Sequence, residues 1–279
     1  MLPGTMAHLE RLEDPAGLTR WRLSDGAAQV ELAPERGGLV TRYAVGGDEV
    51  LFLDESTFVD RSKNVRGGVP LLFPFAGKPP LGSTLGQHGF ARKSAWAVTS
   101  SSADEQTARL TCRFESSPET LAVWPHPFRC DFVTSVSSGR LKLEWSFHNP
   151  DTRPMPLHFG IHPYFRSPDK AKARVEVGLL RAFDNRLGQE RDVERLDFGG
   201  EELDLHFTPY ERGGIFLERG DGRRVHLAWS KQFTTLVFWT LPGQPFICVE
   251  PWTAQGAKPS GLEVAPGGTE RLTVECWLE

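Results

Sequence analysis

The chain has 279 residues, a net charge of −4 and a sequence pI near 6.1. That balance leaves no basic footprint for nucleic acid, and no apolar run is long enough to predict a membrane-spanning helix. A composition of 28 Gly, 21 Pro, 18 Phe and 8 Trp favours short strands joined by turns over helices.

The first eighteen residues carry His8, Glu10, Arg11, Glu13 and Asp14 without an apolar signal core, so a cytoplasmic protein is expected. Apolar and polar residues then alternate over residues 19–23 (TRWRL) and 28–32 (AQVEL), separated by Ser24-Asp25-Gly26, a turn signal repeated at Gly46-Gly47-Asp48. Residues 66–92 depart from alternation. They are rich in Gly and Pro around the apolar run Val69-Pro70-Leu71-Leu72-Phe73-Pro74-Phe75, and prolines so dense cannot sit inside a central ladder. A structured loop crossing a sheet face is predicted there. Residues 101–105 (SSADE) read as an exposed loop.

Alternation resumes over 109–114 (RLTCRF), 140–147 (RLKLEWSF), 224–229 (RVHLAW) and 270–277 (ERLTVECW). It marks antiparallel strands with one buried face. Residues 252–261 form a second loop of the Gly/Pro type. Amphipathic helices stay within about two turns, too short to stand alone. With no linker or low-complexity block, the expectation is an all-β chain, one large antiparallel β-sandwich spanning residues 1–279.

Cys112, Cys130, Cys248 and Cys276 are widely spaced with no C-x-x-C pair, so free buried thiols are expected and no metal. His158 and His162 make an H-x-x-x-H pair; Pro154, Pro156 and Pro163 argue against a helix, and on a strand both would face one side, but no matching Asp, Glu or Cys cluster is evident. There is no P-loop and no G-x-S-x-G elbow.

Two segments carry candidate chemistry. His158-Phe159-Gly160-Ile161-His162-Pro163-Tyr164-Phe165 offers an imidazole among aromatic residues, and Val249-Glu250-Pro251-Trp252 offers a carboxylate at an apolar strand. An imidazole and a carboxylate on either side of one small molecule suit paired acid and base catalysis, and burial would raise the Glu250 pKa toward that of a useful base. The plainer readings are a buried His162 bonded to a backbone carbonyl and a Glu250 that is exposed or paired with an arginine. His88-Gly89-Phe90-Ala91-Arg92 sits in the first Gly/Pro loop, where glycine lets backbone approach a ligand; the plain alternative is a turn.

Taken together these segments resemble the aldose 1-epimerase (galactose mutarotase) superfamily. The resemblance rests on Arg66-Gly67-Gly68-Val69-Pro70, Gln87-His88-Gly89-Phe90-Ala91-Arg92, His162-Pro163-Tyr164-Phe165, Leu203-Asp204-Leu205-His206-Phe207-Thr208, Cys248-Val249-Glu250-Pro251-Trp252-Thr253 and Gly261-Leu262-Glu263-Val264, in family order. It implies a galactose mutarotase-like supersandwich with a sugar cleft on one face. It implies interconversion of α and β anomers, with Glu250 as base at the C1 hydroxyl and His162 as acid at the ring oxygen. His88 is expected near the ring oxygen and Asp204 on a ring hydroxyl, with no cofactor.

The partner is then a small sugar or sugar phosphate, and the chain a monomer or homodimer. Ala76-Gly77-Lys78 departs from the Asn-Arg common in free-aldose members, and the first two motifs look closer to the hexose-6-phosphate 1-epimerase branch. There Arg66, Lys78 and Arg92 would form an anion site; otherwise Lys78 is solvated and the two arginines brace the loop. A reading of another class is a non-catalytic carbohydrate-binding protein on the same sandwich. An acid–base pair speaks for an enzyme, since binding alone does not require one.

Overall fold

The computed structural model describes residues 6–13, 17–178, 180–254 and 261–279. Residues 255–260, most of the second predicted loop, lie outside these. The predicted runs become strands Thr19–Ser24, Ala28–Ala33, Thr107–Glu115, Arg140–His148, Arg224–Trp229 and Thr269–Leu278. All their pairings are antiparallel.

An N-terminal meander of five strands runs from His8–Glu13 to Asp48–Glu49. Its first tight turn forms because Asp25 accepts hydrogen bonds from the N–H groups of Ala27 and Ala28, at 3.0 and 2.8 Å. A second, eight-stranded sheet is centred on Thr269–Leu278, Arg140–His148 and Arg129–Ser137. A third carries, in order, Gln189–Val193, Leu180–Asp184, Leu203–Phe207, Thr235–Thr240, Phe246–Trp252, Gly160–Ile161 and Leu71–Leu72. Tyr164–Arg166 also pairs with Phe246–Trp252.

Aromatic side chains hold the second and third sheets together. Phe132 stacks on Trp145 at 5.1 Å, and Phe159 packs against Trp145 and Phe147 at 4.9 and 5.1 Å. Phe73 meets Phe147, Phe128 and Trp124 within 5.2 Å. Such pairs add about 0.5–1.5 kcal/mol each beyond their buried area. Phe73 and Phe159 belong to the two segments that go on to build the cleft, so the core anchors them directly.

Two expectations need correction. Ala97–Ala103 is a strand that takes in the first three residues of the predicted 101–105 loop. It pairs on one side only, at the edge of the second sheet, and every residue is exposed, so no apolar alternation marks it. Within the 66–92 loop, Leu71–Leu72 forms a short edge strand against Gly160–Ile161, with Pro70 and Pro74 just outside it. The helices Glu55–Val59 and Pro118–Val123 are as short as predicted. Among the described residues no helix is long and apolar enough to cross a membrane. All four cysteines are free and buried.

Candidate active site

Strand parity builds the floor of the site. Along Phe246–Trp252, Ile247 and Val249 enter the main core, while Cys248, Glu250 and Trp252 project from the other face. In Leu203–Phe207 the core takes Leu203, Leu205 and Phe207 and leaves Asp204 and His206 outward. In Thr235–Thr240 it takes Leu236 and Phe238 and leaves Val237 and Trp239. The register lines these up in two rows. His206 opposes Val237, which opposes Glu250; Asp204 opposes Trp239, which opposes Cys248, which opposes Tyr164.

His162 reaches the same face from the Gly160–Ile161 segment. Its backbone N–H donates to the Pro70 carbonyl at 3.0 Å. Its ring stacks on Tyr164 at 4.7 Å and meets the edge of Trp239 at 5.6 Å. The first Gly/Pro loop forms a wall. His88 and Gly77 are tied twice: the His88 N–H donates to the Gly77 carbonyl at 2.8 Å, and the Gly77 N–H donates to His88 Nδ1 at 3.0 Å. The second bond makes Nδ1 the acceptor, so the ring proton sits on Nε2. His88 adopts φ 66°, unusual for a residue with a side chain. Gly89 beside it lies at φ 66°, and a Cβ there would overlap the Phe73 carbonyl.

The result is a cleft of about 1000 Å³. His162, Glu250, His88, Asp204, Arg66, Arg92 and Lys78, the seven residues singled out in the sequence, all line it. His158 does not; it packs edge-on to Phe75 at 5.9 Å. His162 Nε2 lies 3.3 Å from Glu250 Oε1, with side chains 11% and 1% exposed. His162 Nδ1, Glu250 Oε2 and the Trp252 indole nitrogen are buried with no hydrogen-bond partner. The Trp252 N–H is near enough to lower the Glu250 pKa a little, yet makes no bond of accepted geometry.

Burial, then the Asp204 charge, pushes the Glu250 carboxyl well above 4.5. Burial, then Arg92, pulls the His162 imidazole down to about 3. Burial also holds His88 well below 6.5. Both shifts favour the neutral carboxylic acid and the neutral imidazole over an ion pair.

Asp204 is braced on both oxygens. His206 Nε2 contacts Oδ1 at 2.9 Å and Asn185 Nδ2 donates to Oδ2 at 2.7 Å. Burial alone would raise the Asp204 carboxyl, but these bonds outweigh it and hold it low. Sequence reasoning missed His206, Asn185 and Trp239. The first and last were legible as same-parity neighbours of Asp204 and Val237; Asn185, in a turn, left no signal.

The three cations differ. Arg92 donates to the Gln87 carbonyl at 2.9 Å, so part of it braces the loop, while its Nε has no partner. Arg66 and Lys78 are exposed and make no side-chain hydrogen bond or ion pair among the described residues.

A family model described as aldose 1-epimerase matches residues 19–275. A protein of Cenchrus ciliaris named "Putative glucose-6-phosphate 1-epimerase" is 30% identical over 209 residues, 70% of this chain and 61% of its own length. One of the same name from Salmonella typhimurium is 31% identical over 155 residues, 55% of this chain and 50% of its own. The chain thus spans less than two thirds of these curated relatives. A solved structure of a Synechocystis protein has a TM-score of 0.87 at 28% identity, covering 100% of this chain and 98% of the other. A galactose mutarotase-like protein of Clostridium acetobutylicum gives 0.83 at 18%, covering 98% and 99%.

Proposed function

Because the chain belongs to the aldose 1-epimerase family, we propose that it interconverts the α and β anomers of a hexose by opening and closing the sugar ring. The observation that carries this is the buried His162–Glu250 pair at 3.3 Å on the floor of the cleft. The ring oxygen and the anomeric hydroxyl share one carbon, so an acid and a base this close together can reach both.

The shared proton sets the cycle. With it on His162, the Glu250 carboxylate takes the proton of the C1 hydroxyl while the imidazolium protonates the ring oxygen. The bond from C1 to the ring oxygen breaks and C1 becomes an aldehyde. Glu250 is then a neutral acid and His162 a neutral imidazole, the form that burial favours in the empty site. After rotation about C1–C2, the C5 hydroxyl attacks the other face of the aldehyde. It returns its proton to His162 as Glu250 protonates the carbonyl oxygen. Protons balance and no electrons are exchanged. His88 Nε2–H serves as a donor near the ring oxygen, and braced Asp204 accepts from a ring hydroxyl. Each positioned acid or base contributes roughly 10²–10⁴-fold.

The sugar bears a 6-phosphate in the second half of this proposal. Arg66 and Lys78 make no side-chain hydrogen bond or ion pair among the described residues, and the Arg92 Nε is unpaired. Three cations at one wall suit charge-assisted bonds to phosphate. Four free thiols support a reducing compartment, and the continuous core supports one domain. The test is polarimetry of fresh α-glucose, α-galactose and α-glucose 6-phosphate. Accelerated decay of rotation with the phosphorylated sugar above the others supports both halves. Acceleration with free sugars alone leaves the chemistry and removes the phosphate.

A further inference from the structure

The acid–base mechanism leaves the thiol of Cys248 without a task. Cys248 and Glu250 project from one face of the same strand, and Cys248 is fully buried. Its Sγ, the His162 imidazole and the Glu250 carboxylate all lie within 4.8 Å of one another. We propose that these three side chains form a binding site for a soft divalent cation, Zn²⁺ above all, and that the bound metal shuts off the acid–base pair. The loss of turnover rests on the function proposed above; the binding does not.

Thiolate, imidazole and carboxylate are the three ligand classes zinc prefers. Arms of about 2.0–2.1 Å at a tetrahedral angle set nitrogen and oxygen roughly 3.3–3.4 Å apart. His162 Nε2 and Glu250 Oε1 already stand at 3.3 Å. Sγ, no more than 4.8 Å from either, must close on them to reach bonding distance. Glu250 Oε2 has no hydrogen bond for the metal to break. His162 and Glu250 line the cleft, from which water or a sugar hydroxyl would supply a fourth ligand.

Burial holds the Cys248 thiol well above 9 and the Glu250 carboxyl well above 4.5, so both must give up protons to the metal. The thiolate and carboxylate so formed offset the charge of the dication, which limits the cost of burying it. The Asp204 charge, felt at Glu250, draws a cation in. Arg92, felt at both Glu250 and His162, opposes it, and His88 is held neutral. Binding strengthens as pH rises, since the metal competes with protons. Such a metal is an inhibitor, because it occupies the groups that must move a proton.

The experiment strips the full chain with a chelator, then titrates Zn²⁺ by calorimetry in two buffers of different ionisation enthalpy. Co²⁺ is added in parallel to read thiolate-to-metal charge-transfer absorption. The expected result is one metal per chain, release of protons on binding, and the thiolate band. Cys248→Ala and the near-isosteric Cys248→Ser, checked for folding by Tm, should lose the band and bind Zn²⁺ at least about 10-fold more weakly. Both should keep sugar turnover and resist Zn²⁺ by the same factor. Absence of stoichiometric binding to the wild type overturns the proposal. So does binding that is unchanged in both Cys248 variants, or Zn²⁺ that binds as expected and leaves turnover intact. A metal-free wild type that does not turn over any sugar sinks the proposed function instead, while the binding result stands.

Discussion

Replacing Glu250 with Gln tests the shared proton through stability as well as rate. The substitution keeps shape and removes a titrating group that is 1% exposed. In the wild type the folded pair holds one proton, because Glu250 is raised well above 4.5 and His162 is lowered to about 3. Between pH 4.5 and 6.5 the unfolded pair also holds one, on its histidine, so this pair adds no slope there.

Above pH 6.5 the unfolded chain loses that proton, while the folded one keeps it until the raised Glu250 carboxyl ionises. Stability then falls by about 1.4 kcal/mol per pH unit until the folded carboxyl ionises. In Glu250→Gln burial and Arg92 still hold folded His162 low, whereas unfolded His162 binds a proton below 6.5. The variant's stability is therefore flat above pH 6.5 and falls as pH drops below it, the reverse of the wild type. Above pH 6.5 the variant should therefore gain stability relative to wild type for as long as the folded carboxyl keeps its proton. Urea midpoints across pH 5 to 8 read this directly. Parallel curves for the two proteins would refute the shared-proton argument. The same variant should lose roughly 10²-fold or more in anomer interconversion.

Loss of the acid in His162→Ala should cost a similar factor of roughly 10² or more in turnover, with the fold retained by circular dichroism. Arg66→Ala and Lys78→Ala should each lower kcat/KM for glucose 6-phosphate on the order of 10-fold and leave free glucose nearly unchanged; Arg92→Ala, which also frees the Gln87 carbonyl, should show the same selectivity with lower Tm. Equal losses on both sugars would make these residues architectural. His206→Ala removes one brace from Asp204, so kcat should fall while His206→Asn, able to donate to Oδ1, restores part of it; no change in either would detach the brace from catalysis. Prolonged chelation should leave turnover intact, and loss that is restored by a metal would contradict metal-free acid–base chemistry.

The strands with one dry face were readable because their apolar residues alternate, and Arg140–His148 came within a residue of its predicted bounds. Ala97–Ala103 was not readable, since an edge strand exposed on both faces has no pattern to show. The site was legible where rare polar residues interrupt apolar runs, as Glu250 does. The same parity argument would have found His206 from Asp204 and Trp239 from Val237, had sheet faces been assigned strand by strand. Cys248 was read only as a free buried thiol, because its own segment does not say that His162 comes from elsewhere to stand within 4.8 Å of it. Asn185 is set by a turn whose direction depends on tertiary contacts.

The central claim is that His162 and Glu250 open a sugar ring. It is tested by following anomer exchange at equilibrium, by proton saturation transfer between the α and β C1 signals of glucose 6-phosphate and of glucose. The account predicts exchange catalysed by the wild type and reduced roughly 10²-fold or more in both His162→Ala and Glu250→Gln. Exchange no faster than in buffer, or variants as active as the wild type, would contradict it.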